Sequence, residues 1–258
     1  MMDTTPWRPP RFWRFVQFLS RGVVAALTRL RVTGDLPADL RAGPLILAAN
    51  HISNFDPVVM AAATGIRRVA PRFMATGGLF RTPVIGAAMR ACGHIRVDRR
   101  TANVARALDD AAAALARRSV VLVYPEGRIG LDPRMWPERG KTGAARMALV
   151  SGATVVPVAQ WGAHEVMRYS TRPGDLLRGL ARAVWRRPVV RVHFGAPVDL
   201  SGLRPGVPGH AQRATERIIE ALTGTLAPLR PDEPDLPRYV DPTRPTSTDR
   251  LHRRAATH

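Results

Sequence analysis

Pro44-Leu45-Ile46-Leu47-Ala48-Ala49-Asn50-His51-Ile52-Ser53-Asn54-Phe55-Asp56-Pro57 is the stretch that decides what kind of fold this chain takes. Leu45 to Ala49 is apolar without interruption, the pattern of a buried strand. Asp56-Pro57 reads as a helix start, with Asp56 as N-cap and Pro57 at the first helical position. His51 and Asp56 then fall in the turn between a strand end and a helix start, where open α/β sheets bind their ligands. A carboxylate within reach of one imidazole nitrogen fixes the tautomer and leaves the other nitrogen free as a base. By itself, His-x4-Asp is equally the pattern of a polar loop whose aspartate only caps a helix.

The 258 residues suffice for one substantial core, and 45% apolar content is normal for a folded globular protein. Basic residues number 39 against 20 acidic ones, a net charge of +19. Such an excess points to a polyanionic partner, either nucleic acid or an anionic membrane surface. Lys141 is the only lysine, so almost all of this charge is arginine. With abundant alanine and 23 prolines, that is the mark of a GC-rich genome, and it weakens each arginine as a functional signal. Cys92 is the only cysteine, which excludes an intramolecular disulfide and any multi-cysteine zinc or iron–sulfur site. No secretory signal stands out, because arginines break the first apolar stretch.

From Phe12 to about Leu30, Phe12, Val16, Leu19, Val23, Ala26, Leu27 and Leu30 recur at helical spacing. Arg14, Arg21 and Arg29 interrupt the run, so no charge-free window is long enough for a transmembrane helix. The segment reads either as an amphipathic helix at a membrane interface or as a helix packed on its own domain, with Gly22 as a candidate break. Val32-Thr33 reads as a short strand and Pro57 to Thr64 as a helix. Arg68-Val69-Ala70 reads as a strand stopped by Pro71, and Pro83 to Met89 as a helix. His94, Arg96 and Asp98 alternate with Ile95 and Val97 at strand period, which places Arg99 and Arg100 at a strand end, either as two guanidinium forks that can clamp a phosphate or, as is usual in so arginine-rich a chain, as a solvated charge pair.

Thr101 to Arg118 has the spacing of a helix capped by Thr101, and Val120 to Tyr124 is a buried strand ending in Pro125-Glu126-Gly127-Arg128. Lys141 to Val150 reads as a helix whose opening amides suit an anion. Thr154 to Ala159 reads as a strand, with Pro157 marking an edge or a bulge. A basic helix ending near Ala183, a strand from Pro188 to Phe194 and an amphipathic helix from His210 to Leu226 follow. Beyond Pro228 the apolar period disappears, as in a disordered tail.

Four marks occur in order: Asn50-His51-x4-Asp56, Gly93-x-Ile95-x-Val97-Asp98-Arg99, Tyr124-Pro125-Glu126-Gly127, and Val155-Val156-Pro157-Val158-Ala159. With Lys141-Thr142-Gly143-Ala144-Ala145 between the last two, the chain resembles the lysophospholipid/glycerolipid acyltransferase family, that of 1-acylglycerol-3-phosphate acyltransferase, over about residues 32 to 200. The resemblance implies an α/β fold with a mixed, largely parallel sheet flanked by helices, preceded by the amphipathic N-terminal segment. It implies transfer of a fatty acyl group from acyl-CoA or acyl carrier protein to the hydroxyl of a lysophospholipid, most simply 1-acylglycerol-3-phosphate. His51 and Asp56 match the catalytic pair; Arg99, Glu126, Gly127, Arg128 and Lys141 match positions expected to bind substrate; Pro157 matches the fourth block. Backbone amides beside His51 are expected to serve the oxyanion.

In the family the third block continues Glu-Gly-Thr-Arg-Ser, whereas here it is Glu126-Gly127-Arg128-Ile129-Gly130. That departure leaves the acceptor open between lysophosphatidate and another lysolipid or a glycolipid, such as an ornithine-type lipid. The expected divisions are residues 1–31 as an interface segment, 32–227 as the acyltransferase domain and 228–258 as a basic tail. The expected setting is the cytoplasmic face of the cell membrane, peripheral or monotopic, with no cofactor beyond the acyl donor and no nucleic acid. The alternative of another class is a non-enzymatic basic protein bound to membrane or nucleic acid. No zinc, helix-turn-helix or RNA-stacking signature supports nucleic acid, and no Gly-x-Ser-x-Gly elbow supports a serine hydrolase.

Overall fold

Leu45–Ala49 is a strand in which every residue is buried, as an uninterrupted apolar run requires when both faces of a sheet are covered. The computed structural model describes residues 6–98, 103–130, 132, 134–167 and 173–230. In chain order these form helix α1 (Arg11–Leu27), strand β1 (Arg29–Thr33), α2 (Ala38–Arg41), β2 (Leu45–Ala49), α3 (Asp56–Ile66), β3 (Arg72–Thr76), α4 (Gly77–Arg81) and α5 (Pro83–Ala91). There follow β4 (Ile95–Val97), α6 (Asn103–Ala116), β5 (Val120–Val123), α7 (Gly143–Ser151), β6 (Thr154–Trp161) and α8 (Ala163–Val166). Last come α9 (Pro173–Arg186), β7 (Val189–Phe194), α10 (His210–Leu226) and a 3-10 turn at Ala227–Leu229. The tail expected beyond residue 230 and the cap expected at Thr101 lie outside the described residues.

The strands form one sheet in the order β1-β7-β6-β2-β5-β3-β4, as the mixed, largely parallel α/β reading requires. Only β6 and β7 pair antiparallel. Strand β2 lies between β6 and β5, parallel to both, so its carboxyl end is enclosed by neighbours that end on the same side. Its side chains alternate between two cores. Leu45, Leu47 and Ala49 join Trp13, Val59 and Phe194 on one face, while Ile46 and Ala48 join Leu115, Met147 and Ile218 on the other.

Helix α1 packs on α3 through Trp13, Gln17, Ser20 and Val24. These are not the residues that the apolar period selects. Phe12, Phe15, Phe18, Leu19 and Val23 remain exposed, Phe18 at 70%. Gln17 is buried because its amide donates to Val69 O at 2.8 Å and Thr64 Oγ1 at 3.0 Å, so the polar group is satisfied. Gly22 does not interrupt the helix. It ends where Thr28 turns its amide and hydroxyl back to Val24 O, and Arg29 and Leu30 then enter β1, which runs across the boundary expected at residue 31.

Two other expectations are corrected. Arg68-Val69-Ala70 is not a strand: Arg68 adopts φ 58°, and the amides of Arg68 and Val69 bond back to Gly65 O and Thr64 O to close α3. The strand begins after Pro71, at Arg72. Pro157 lies in an interior strand rather than at an edge or bulge, paired in register with Ala48. Its carbonyl accepts the Gly195 amide, so its own nitrogen faces the side where β7 has just ended, and the missing N–H breaks no bond to β2.

Trp13 is 2% exposed, donates Nε1–H to Pro71 O at 3.1 Å and meets Phe73 edge-on at 5.4 Å. Trp13→Ala is expected to cost ~3–5 kcal/mol of stability, measured by urea denaturation; a loss below 1 kcal/mol would mean that α1 docks only loosely on α3.

Candidate active site

The site is built at the carboxyl end of β2, where the chain leaves the sheet. Asn50 extends the pairing with β6 by one residue through its side chain. Its amide donates to Gln160 O at 3.0 Å, its Oδ1 accepts from Gln160 N at 2.8 Å, and its backbone carbonyl accepts from Gln160 Nε2 at 2.9 Å. This fixes where His51 emerges.

His51 Nδ1 lies 2.8 Å from Asp56 Oδ2. The same oxygen accepts the amides of Ile52 at 2.6 Å and Ser53 at 2.8 Å. An oxygen surrounded by N–H donors is an acceptor, so the imidazole presents Nδ1–H to it and keeps the lone pair of the neutral ring on Nε2. Asp56 is fully buried, and the His51 side chain is 15% exposed. Asp56 is therefore not the N-cap of α3. It is the first helical residue, the cap position is Phe55, and the carboxylate folds back over the preceding turn instead of forward onto the helix. The His51 ring stacks on Tyr124 at 4.1 Å between centroids and 17° between planes. Burial, with the Asp56 charge nearby, pushes the Tyr124 phenol well above its ordinary range and keeps it neutral.

The backbone of His51 is held by the loop after β5. Its amide donates to Glu126 Oε1 at 3.1 Å, and its carbonyl accepts the Gly130 amide at 2.7 Å. Glu126 Oε2 accepts the Glu138 amide at 3.0 Å. Glu126 is 3% exposed, so both its oxygens are spent on backbone inside the protein and neither faces an open site. Burial pushes its carboxyl up to about 8, against the opposing pull of the two amides.

Arg128 extends its guanidinium to Glu138 Oε2 at 3.0 Å and is held there. Gly127 adopts φ 71°, and an added Cβ would come within 3.3 Å of Lys141 Cγ, so the glycine leaves room for the lysine stem. Lys141 donates its amide to Pro125 O and exposes its side chain. The structure thus brings His51, Asp56, Glu126, Gly127 and Lys141 into one neighbourhood, with Arg128 turned to Glu138. Arg99 lies outside the described residues.

Four of the amides expected to serve an oxyanion are already occupied. Those of Ile52 and Ser53 bond to Asp56, that of His51 to Glu126 and that of Phe55 to Ser53 Oγ. Several partners carry no motif signal. Glu138 and Gln160, both outside the four marks, come together with Glu126 and Asn50 only through the sheet. So does an aromatic group in which Arg230 lies 4.0 Å from the Trp136 ring centroid and 4.5 Å from that of Trp161, beside Ile52. Among the described residues, no group of three or more His, Cys, Asp or Glu converges as a metal site would.

A buried His–Asp pair at the carboxyl end of a central parallel strand defines an α/β domain equipped for proton transfer. The fold is that of the 1-acyl-sn-glycerophosphate acyltransferase PlsC of Thermotoga maritima, with a TM-score of 0.62 over 86% of this chain and 81% of that one at 19% identity. The sequence pattern of the family described as Acyltransferase matches residues 29–161, just over half of the chain, and the chain belongs to that family. It is similar to a 1-acyl-sn-glycerol-3-phosphate acyltransferase of Chlamydomonas reinhardtii, 31% identical over 140 residues, 52% of this chain and 40% of that protein. A chloroplastic 1-acyl-sn-glycerol-3-phosphate acyltransferase of Brassica napus is 28% identical over 160 residues, 61% of this chain and 43% of that one. A lyso-ornithine lipid O-acyltransferase of Rhizobium meliloti is 30% identical over 128 residues, 49% of this chain and 39% of that protein. The chain spans about two fifths of the length of these relatives.

The Glu126 shift has a consequence for stability. Unfolded, the carboxyl ionises near its ordinary 4.5; folded, near 8. Its contribution is complete below about 4.5, declines as pH rises through the interval and levels off above about 8. Glu126→Gln, which cannot ionise, is expected to lower stability at acid pH, where the wild-type carboxyl is neutral, and to remove this slope. Urea denaturation at a series of pH values measures it, and equal slopes in the two proteins would exclude a buried neutral Glu126.

Proposed function

We propose that the chain is an O-acyltransferase that moves a fatty acyl group from a thioester, acyl-CoA or acyl carrier protein, to the hydroxyl of a lysophospholipid, with 1-acylglycerol-3-phosphate as the first acceptor to test. The observation that carries this reading is the 2.8 Å contact between His51 Nδ1 and Asp56 Oδ2, which leaves Nε2 as the basic atom of a ring with access to solvent. Nε2 takes the proton of the acceptor hydroxyl as its oxygen attacks the thioester carbonyl. The tetrahedral adduct collapses, the carbon–sulfur bond breaks, and the imidazolium returns the proton to the departing thiolate. Asp56 offsets the imidazolium charge during the step. No cofactor enters the scheme, since the donor is itself a substrate.

Glu126 acts in this reading as the support of the His51 peptide. Lys141, lying over Gly127, and Arg99 at the end of the second block are the proposed partners of the acceptor phosphate. The pairing of Arg128 with Glu138 favours a second acceptor reading, because this guanidinium is already neutralised. A lysolipid whose headgroup needs fewer cations, such as a lyso-ornithine lipid, fits that arrangement.

The proposed setting is the cytoplasmic face of a membrane, held at the interface rather than across it. No helix among the described residues is long and apolar enough to span a bilayer. Helix α9 packs beside α1 and exposes Leu177, Val184 and Trp185, the last at 92%, so two neighbouring helices present apolar side chains outward. Arginines flank both arcs, the arrangement suited to anionic headgroups.

His51→Ala is expected to lower kcat by about 10²–10⁴-fold or more with the fold retained, measured with labelled acyl-CoA, acyl carrier protein and a panel of lysolipids, by product mass. Undiminished turnover in the folded variant would exclude His51 as the base; product from lyso-ornithine lipid alone would select the second acceptor. Phe15→Ser/Phe18→Ser is expected to lower partition into vesicles without changing turnover of short-chain substrates. Removal of residues 1–31 would also take away three of the five residues of β1.

A further inference from the structure

A cleft of about 500 Å³ opens at the end of the sheet opposite His51. Ala42, ahead of β2, and Val120, the first residue of β5, line its floor, whereas His51 and Glu126 follow the far ends of those strands. A five-residue strand rises about 16 Å, so the cleft is separate from the catalytic neighbourhood.

Its walls carry Arg14 and Arg21 from α1, Arg41 from α2, and Arg68 and Arg118, which follow α3 and α6. No carboxylate lines it. Among the described residues, none of these five guanidinium groups has a hydrogen-bond or ion-pair partner. Arg68 and Arg118 both adopt left-handed backbone, φ 58° and 56°, at helix ends where glycine is the usual occupant. A cation there gains from the helix dipole. Five like charges around one cleft nevertheless raise each other's energy, and an anion removes that cost.

Phe18 identifies the source of the anion. It lines the cleft and also belongs to the exposed apolar arc of α1 with Phe12, Phe15, Leu19 and Val23. An anion bound among the arginines therefore sits one side chain away from the surface that would meet acyl chains. A free phosphate makes no use of that rim, whereas a phospholipid uses both parts. We infer that this cleft binds the phosphate of an anionic phospholipid headgroup, as a second lipid site remote from the catalytic centre. The inference rests on the proposed placement of α1 at a membrane interface. A lipid held there would fix the middle of α1, from Arg14 to Arg21, against the headgroup layer while the opposite end of the sheet carries the chemistry.

The test is calorimetric titration of the full chain with dihexanoylphosphatidylglycerol below its micellar concentration, with dihexanoylphosphatidylcholine and inorganic phosphate as comparisons. Binding of the anionic lipid is expected to be at least tenfold tighter than of either comparison. Arg68→Gly/Arg118→Gly, which suits the backbone at both positions, is expected to weaken it about tenfold or more. Arg204→Ala/Arg213→Ala, which removes the same charge elsewhere, is expected to leave it within twofold. Unchanged binding in the glycine pair, an equal loss in the control pair, equal binding of the zwitterionic lipid or of inorganic phosphate, or no binding at all would each overturn the proposal. Partition into phosphatidylcholine vesicles with and without phosphatidylglycerol separates the two readings. Absence of vesicle binding, with short-chain binding lost only in the glycine pair, supports the cleft and removes the interfacial placement.

Discussion

The carboxyl group of Glu126 is the joint on which the site hangs. One oxygen holds the amide of His51 and the other the amide of Glu138, so a single buried side chain ties the end of β2 to both sides of the loop after β5. A buried carboxyl that serves two amides is costly to place and costly to remove. The loop it organises returns the Gly130 amide to the His51 carbonyl, and Glu138 in turn anchors Arg128. The imidazole is thus positioned from two directions: its backbone by the β5 loop and its ring by Asp56 and Tyr124.

Much of this was legible in the order of residues, and the limit falls along a physical line. Leu45–Ala49 announces a central strand because burial on both faces leaves no polar alternation. His51 and Asp56 are five positions apart, so the contact depends on one turn and a short pattern suffices to propose it. Glu126 also stood out, but its position after a strand suggested ligand contact, whereas the fold turns it inward onto peptides. Glu138 lies twelve residues beyond Glu126 and Gln160 lies 110 beyond Asn50, at distances that only the sheet order closes. No local signal reports such partners.

Helix α1 shows why apolar period alone misleads at an amphiphilic surface. Its buried face contains Gln17 and Ser20, and its exposed face contains Phe12, Phe15 and Phe18. Hydrophobicity is a one-way guide to burial, since much of any folded protein's surface is itself apolar. Here Gln17 has partners on α3 and the following turn, and the outward aromatics form an exposed apolar arc. Pro157 misleads in the same manner: a missing donor marks an edge only if a neighbour needs it, and β7 stops one residue short.

The pairing of β1 with β7 bears on the order of events during synthesis. Arg29 aligns with Val189, so 160 residues separate the partners. At the ~5–20 residues per second of a ribosome, α1 and its aromatic arc leave the tunnel roughly ten to thirty seconds before the strand that completes their edge of the sheet exists. During that interval β1 has no partner strand, while α1 carries its apolar outer face. The topology therefore makes this edge of the sheet the last to close.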